Sequence, residues 1–140
     1  MVCLGNICRS PLAEGILKSK IFSFKTFVDS AGTGAYHVGE KPDKRSISIA
    51  KTYGIDISSH TSNNVNEYQE IDWHYIITVC DHAFENCPYI AAPKAERLHH
   101  NFYDPSKFIG NAQQTQAAFI KAREEIKNYC LDFSNTHFNL

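Results

Sequence analysis

The sequence predicts an α/β three-layer sandwich in which a parallel sheet of about four strands is flanked by helices, and three observations carry that prediction. Strand-like apolar runs alternate along the chain with segments of helical period, the pattern of strand–helix units in a parallel sheet. The run YIITVC, residues 75–80, is continuous and rich in β-branched residues, as a central parallel strand covered on both faces should be. With 140 residues, 43% of them apolar and 21% charged, the chain suits one domain, residues 1–140, that buries a sizeable core.

Each element has its own warrant. Only Met1 and Val2 precede Cys3, so the first strand is very short. Ser10-Pro11 starts a helix, because proline loses nothing in the first turn, and Leu12, Ile16 and Leu17 form its inward stripe. KTFVDSAG, residues 25–32, reads as a strand ending at glycine. DKRSISIAKTYG, residues 43–54, begins with a capping Asp43 and ends with Gly54 at the left-handed position after a helix, with Ile47 and Ala50 facing inward. ERLHH is a weaker strand. A last helix is predicted over residues 113–133, where Phe119, Ala122, Ile126, Tyr129 and Phe133 recur at three- and four-residue spacing. Ligands of such sheets bind at the carboxyl ends of the strands, where Cys3, Ser30 and Cys80 are expected.

Bulk properties narrow the function. A formal charge of −1 without a Lys/Arg cluster argues against nucleic acid and anionic membranes. No apolar run approaches a membrane span and no secretion signal is evident, so the expected location is cytoplasmic. Five cysteines, an odd number, exclude a fully paired extracellular framework and point to chemistry or burial in a reducing compartment. His82, His99 and His100 have no companion cluster at ligand spacing, so no metal site is expected.

The informative stretch is VCLGNICRSP. Cys3 and Arg9 stand in a C-x5-R arrangement that ends where a helix begins. Backbone N–H groups of such a loop, with the helix dipole behind them, converge on a point suited to an oxyanion. Arg9 would add a bidentate fork, and the same field favours a Cys3 thiolate, a nucleophile aimed at phosphorus or arsenic. Gly5, Asn6 and Ser10 within the pattern weigh against the plainer reading of a buried cysteine with an incidental arginine downstream.

VCLGNICRSPLAEG resembles the phosphate loop of the low-molecular-weight protein tyrosine phosphatases, and the likeness continues through DSAGTGAYHVGEKPDKRSISIAKTYGIDIS. The resemblance implies a flavodoxin-like fold, a loop supported by Asn6, Ser10, Ser30 and His60, and a crevice walled by Leu4, Ile7 and Tyr36. Cys8 matches the loop cysteine that can protect the nucleophile as a disulfide. The second half departs from those phosphatases: Asp104-Pro105 is followed by Ser106-Lys107 instead of paired tyrosines. It is similar instead to the thioredoxin-coupled arsenate reductases, whose three essential thiols fall on Cys3, Cys80 and Cys87. The loop itself reads Leu-Gly-Asn-Ile where those reductases have Thr-Gly-Asn-Ser. The chain is phosphatase-like in front and reductase-like behind, with the join near residues 54–60.

Two chemistries follow from the resemblance. As a reductase, Cys3 forms an adduct with arsenate, Cys80 attacks Cys3 and expels arsenite, and Cys87 closes a Cys80–Cys87 disulfide that thioredoxin reduces, with no bound cofactor. As a phosphatase, Cys3 attacks a phosphotyrosyl protein and Asp104 protonates the leaving phenolate. The extra thiols favour the reductase. Plainer readings stand beside these roles: Cys80 and Cys130 as core, Asp104 as the cap of a turn, Tyr36 as a packed aromatic, and the whole chain as a phosphate-binding module without turnover.

Overall fold

The computed structural model describes residues 1–21, 24–87, 90 and 92–139. Four strands, β1 (Val2–Cys3), β2 (Ala31–Gly32), β3 (Tyr75–Thr78) and β4 (Glu96–His99), form one sheet in the order β2-β1-β3-β4. Every pairing is parallel, with Val2 level with both Ala31 and Thr78. Parallel neighbours need crossovers, and helices α1 (Arg9–Lys20), α2 (Lys44–Lys51), α3 (Asp81–Asn86) and α4 (Ala112–Phe138) lie in the connections and after the last strand. No described helix is long and apolar enough to cross a membrane.

Helices α1, α2 and α4 pack on one another, while α3 lies against β1 and β3. Leu12, Ile16 and Leu17 bury the predicted stripe of α1, and Phe119, Ala122, Ile126 and Phe133 bury that of α4. On α2 the inward residues are Ser46, Ile49 and Ala50, with Ile47 only partly buried. Asp43 caps α2 by accepting from Arg45 N at 2.8 Å, and Gly54 takes φ +81° after it. Arg123 of α4 fastens α2 by donating to Ile49 O at 3.3 Å and Thr52 Oγ1 at 2.8 Å.

Three expectations need correction. The strand predicted over residues 25–32 shrinks to Ala31–Gly32, because its neighbour β1 is itself two residues long and can support no more rungs. Ser30 therefore lies just before β2, at its amino end and not its carboxyl end. The last helix begins at Ala112, where Asn111 and Gln114 form a capping box, and continues past Phe133 to Phe138. Its extension has a packing reason: the Phe138 ring meets Phe24 at 5.2 Å. A cavity of about 480 Å³ lies at the amino ends of β1 and β3, lined by Val2, Asp29, Tyr68, Trp73, Tyr75 and Phe133 among others.

Candidate active site

The loop from Cys3 to Arg9 leaves β1 and enters α1 directly. Its carbonyls turn outward: Cys3 O accepts from Thr33 N at 2.9 Å, Leu4 O from Gly34 N at 2.9 Å and Ile7 O from Asp43 N at 2.7 Å. Gly5 O accepts from Ser62 Oγ at 3.0 Å. Since the N–H of a trans peptide points opposite to its C=O, the N–H groups of Leu4, Gly5, Asn6 and Cys8 face the loop's interior. Asn6 N donates to Cys3 Sγ at 3.1 Å, in keeping with that geometry. Cys8, at the N-cap of α1, makes no side-chain capping bond, which leaves the first-turn N–H groups facing the loop.

Asn6 holds the loop from within. It is fully buried with φ +54°, a left-handed conformation that asparagine tolerates better than most residues. Its Nδ2 donates to Ser10 Oγ at 2.7 Å and to Ser30 Oγ at 2.9 Å, while its Oδ1 accepts from Asn63 N at 2.9 Å. Ser10 Oγ also lies 2.9 Å from Cys3 Sγ. Gly32 is required beside the loop, since a Cβ there would meet Leu4 O at 2.7 Å.

Ser30 and His60 converge on Glu14, a residue that sequence reasoning missed. Ser30 Oγ donates to Glu14 Oε2 at 2.5 Å, and His60 Nδ1 lies 3.3 Å from the same oxygen. His60 thus reaches Asn6 only through Glu14 and Ser30, and its Nε2 is buried without a partner among the described residues. Burial alone would push the Glu14 carboxyl up. Hydrogen bonds from His60, Lys18 and Ser30, with the Lys18 charge, outweigh burial and hold it down at about 2. The available signal was an acid on the inward face of α1, between Ser10 and Leu17.

Arg9 faces a segment more than ninety residues away. Its Nη1 donates to Phe102 O at 3.1 Å and its Nη2 to Asp104 Oδ2 at 3.3 Å. Asp104 also caps the 3-10 turn Pro105–Lys107, accepting from Ser106 N at 3.0 Å and Ser106 Oγ at 2.6 Å. The turn-capping reading of this carboxylate holds, and the structure adds a pair with Arg9. Tyr36 is 64% exposed, its ring edge-on to His37 at 5.0 Å, and His37 Cδ2 lies 3.0 Å from where a Cβ on Gly5 would be. Leu4 and Ile7 are partly exposed along the loop.

All five cysteines are free. Cys8 is buried against Ser46 Oγ at 3.3 Å, and burial pushes its thiol up to about 12. Cys130 is buried in the core over Ala13 O at 3.8 Å and is likewise raised to about 12 by burial. Cys80 is the N-cap of α3, its Sγ accepting from Ala83 N at 3.4 Å, and Cys87 is the residue that ends the same helix. Cys87 is half-buried, and burial raises its thiol. The ladder seats Val79 N on Val2 O at 2.8 Å, which brings the chain before Cys80 alongside the strand that delivers Cys3. His99 and His100 diverge, toward Asp81 and Glu125 respectively.

The first strand of this parallel α/β sheet thus opens into a C-x5-R loop that turns its carbonyls outward and leads straight into a helix. The chain belongs to the low molecular weight phosphotyrosine protein phosphatase family, whose model matches residues 1–135. It is 35% identical over 135 residues to a protein named arsenate reductase from Halalkalibacterium halodurans, covering 96% of this chain and 93% of that one. It is 41% identical over 81 residues to a low molecular weight phosphotyrosine protein phosphatase from Saccharomyces cerevisiae, covering 54% and 50% of the two chains. The solved structure of Primo-1 superposes with a TM-score of 0.80 at 27% identity, covering 99% of this chain and 96% of that one.

Proposed function

We propose that this chain reduces arsenate to arsenite with Cys3 as nucleophile and with Cys80 and Cys87 passing electrons from thioredoxin. The observation that carries the reading is the placement of Cys80 and Cys87 at the two ends of one short helix laid against β1. The match to arsenate reductases over nearly the whole chain supports it, whereas the yeast phosphatase matches over about half.

In this reading the inward N–H groups and Arg9 hold the arsenate oxygens, while Asn6 N and Ser10 Oγ, at 3.1 and 2.9 Å, hold Cys3 Sγ in place for attack. Cys3 Sγ bonds to arsenic as one arsenate oxygen leaves as water. Cys80 then attacks Cys3 sulfur; the S–As bond breaks, its electron pair stays on arsenic, and arsenite departs. Cys87 attacks Cys80, freeing Cys3 and leaving a Cys80–Cys87 disulfide, which a thioredoxin dithiol reduces with its two electrons. Leu4, Ile7 and Tyr36 line the approach, and Glu14, Ser30 and His60 support Asn6 from behind.

A second reading, hydrolysis of phosphotyrosyl proteins, is favoured by one observation: Tyr36 is exposed, with its ring against His37, which adjoins Gly5 of the loop. Asp104, beside Arg9, would be the acid for the leaving phenolate. Parallel assays on one preparation decide between the readings. Arsenite production with thioredoxin, its reductase and NADPH is expected, and it should vanish in Cys3→Ser. Cys87→Ser should stall after one turnover with a Cys3–Cys80 disulfide visible by peptide mass mapping, while hydrolysis of a simple aryl phosphate persists. Rapid phosphotyrosine hydrolysis without any arsenite would overturn the reductase.

A further inference from the structure

We infer that His99 is a positioning residue for the Cys80–Cys87 couple: its ring clamps α3 in the helical form that keeps the two thiols apart, and so sets how readily the pair oxidises. The inference rests on the reductase reading, in which these two cysteines form a disulfide.

Cys80 and Cys87 flank the six residues of α3, and at the helical rise their Cα atoms stand about 10 Å apart. A disulfide needs Cα atoms roughly 4.4–6.8 Å apart. Oxidation must therefore undo α3. A helix of six residues has no stability of its own in water, and only Ala83 among its residues is buried. Whatever ties α3 to the sheet determines the cost of unwinding it.

His99, on edge strand β4, supplies two of those ties. Its Nε2 lies 2.9 Å from Asp81 Oδ1 in the first turn. Its ring stacks on Phe84 in the middle of the helix, centroids 4.4 Å apart and planes 30° apart. Phe84 is otherwise 62% exposed. The ring is itself fixed from behind, with Thr78 Oγ1 2.8 Å from Nδ1. Thr78 Oγ1 also donates to Leu98 O at 3.4 Å, so the ring is held at both nitrogens, by β3 on one side and by α3 on the other. Two further ties are Asp81 N to Asn101 Oδ1 at 3.1 Å and Ala83 N to Cys80 Sγ at 3.4 Å. The Sγ cap is surrendered as Cys80 oxidises, and Asp81 and Phe84 must leave His99 when the helix unwinds. The His99 contacts thus belong to the dithiol form.

The test is equilibration of the whole chain with mixtures of reduced and oxidised dithiothreitol, reading the Cys80–Cys87 disulfide by peptide mass mapping. The oxidised reagent takes two electrons and two protons from the pair as the S–S bond forms. His99→Ala should raise the oxidation equilibrium constant about tenfold, a potential lower by about 30 mV for a two-electron couple. Phe84→Ala should shift it the same way, and the double variant should fall short of the product of the two, because they share one contact. His99→Phe, which keeps the stack and loses the Asp81 bond, should fall between wild type and His99→Ala. His99→Ala should also lower the unfolding midpoint of the reduced protein and leave that of the oxidised protein unchanged. An unchanged equilibrium constant, or equal destabilisation of both forms, would overturn the clamp. Arsenate takes no part in this titration. A shifted couple in a protein that makes no arsenite keeps the clamp and sinks the reductase; a pair that never forms a disulfide sinks both.

Discussion

Replacing Glu14 by glutamine should destabilise the protein in a way that depends on pH. The carboxylate is 6% exposed, accepts from Ser30 Oγ and Lys18 Nζ at 2.5 Å each, and faces His60 Nδ1 at 3.3 Å. Its pKa is held at about 2 against an ordinary 4.5, a gap worth about 3 kcal/mol. Because the folded value is the depressed one, this contribution is fully present above pH 4.5 and drains away as pH falls through about 2. Glutamine preserves shape but offers one acceptor oxygen in place of two and no charge. Urea unfolding of both proteins between pH 7 and pH 2 should show the variant less stable by about 3 kcal/mol at neutral pH, with the difference closing below pH 4.5. A difference that stays constant with pH would mean that Glu14 acts by packing alone, and would refute the reasoning. A loss of phosphate affinity should accompany the loss of stability, because Ser30 passes the contact on to Asn6 inside the loop.

Gly32→Ala drives a methyl group to within 2.7 Å of Leu4 O, a backbone atom that cannot swing aside. The expected result is about 1–3 kcal/mol of lost stability and at least about tenfold weaker phosphate binding by calorimetry; unchanged affinity would show that the loop shifts without cost. Asp104→Asn should slow aryl-phosphate hydrolysis by about 10²–10⁴-fold, the range for losing a positioned acid, with a smaller loss for leaving groups that need no proton. Equal losses across leaving groups would assign Asp104 to the Arg9 pair and the Pro105 turn instead of proton transfer.

The sequence by itself determined the features that depend on near neighbours. The C-x5-R loop, the Asp43 cap, Gly54 after α2 and the inward stripes of α1 and α4 are legible because the atoms involved lie within a few residues or a few helical turns. The spacing of Cys80 and Cys87 is likewise legible, whereas the helix between them, α3, is a finding of the structure. Tertiary structure decided the rest. How many rungs residues 25–32 could form depended on a two-residue neighbour elsewhere in the chain. The Ser30 and His60 contacts to Glu14, like those of Arg9 to Phe102 and Asp104, join chain positions that no local period relates. His99 likewise reads as an edge-strand histidine until the fold sets it against Asp81 and Phe84. Hydrogen bonds and ring contacts act over a few ångströms of space whatever the separation along the chain, so a motif announces the loop while only the folded backbone chooses the groups that hold it.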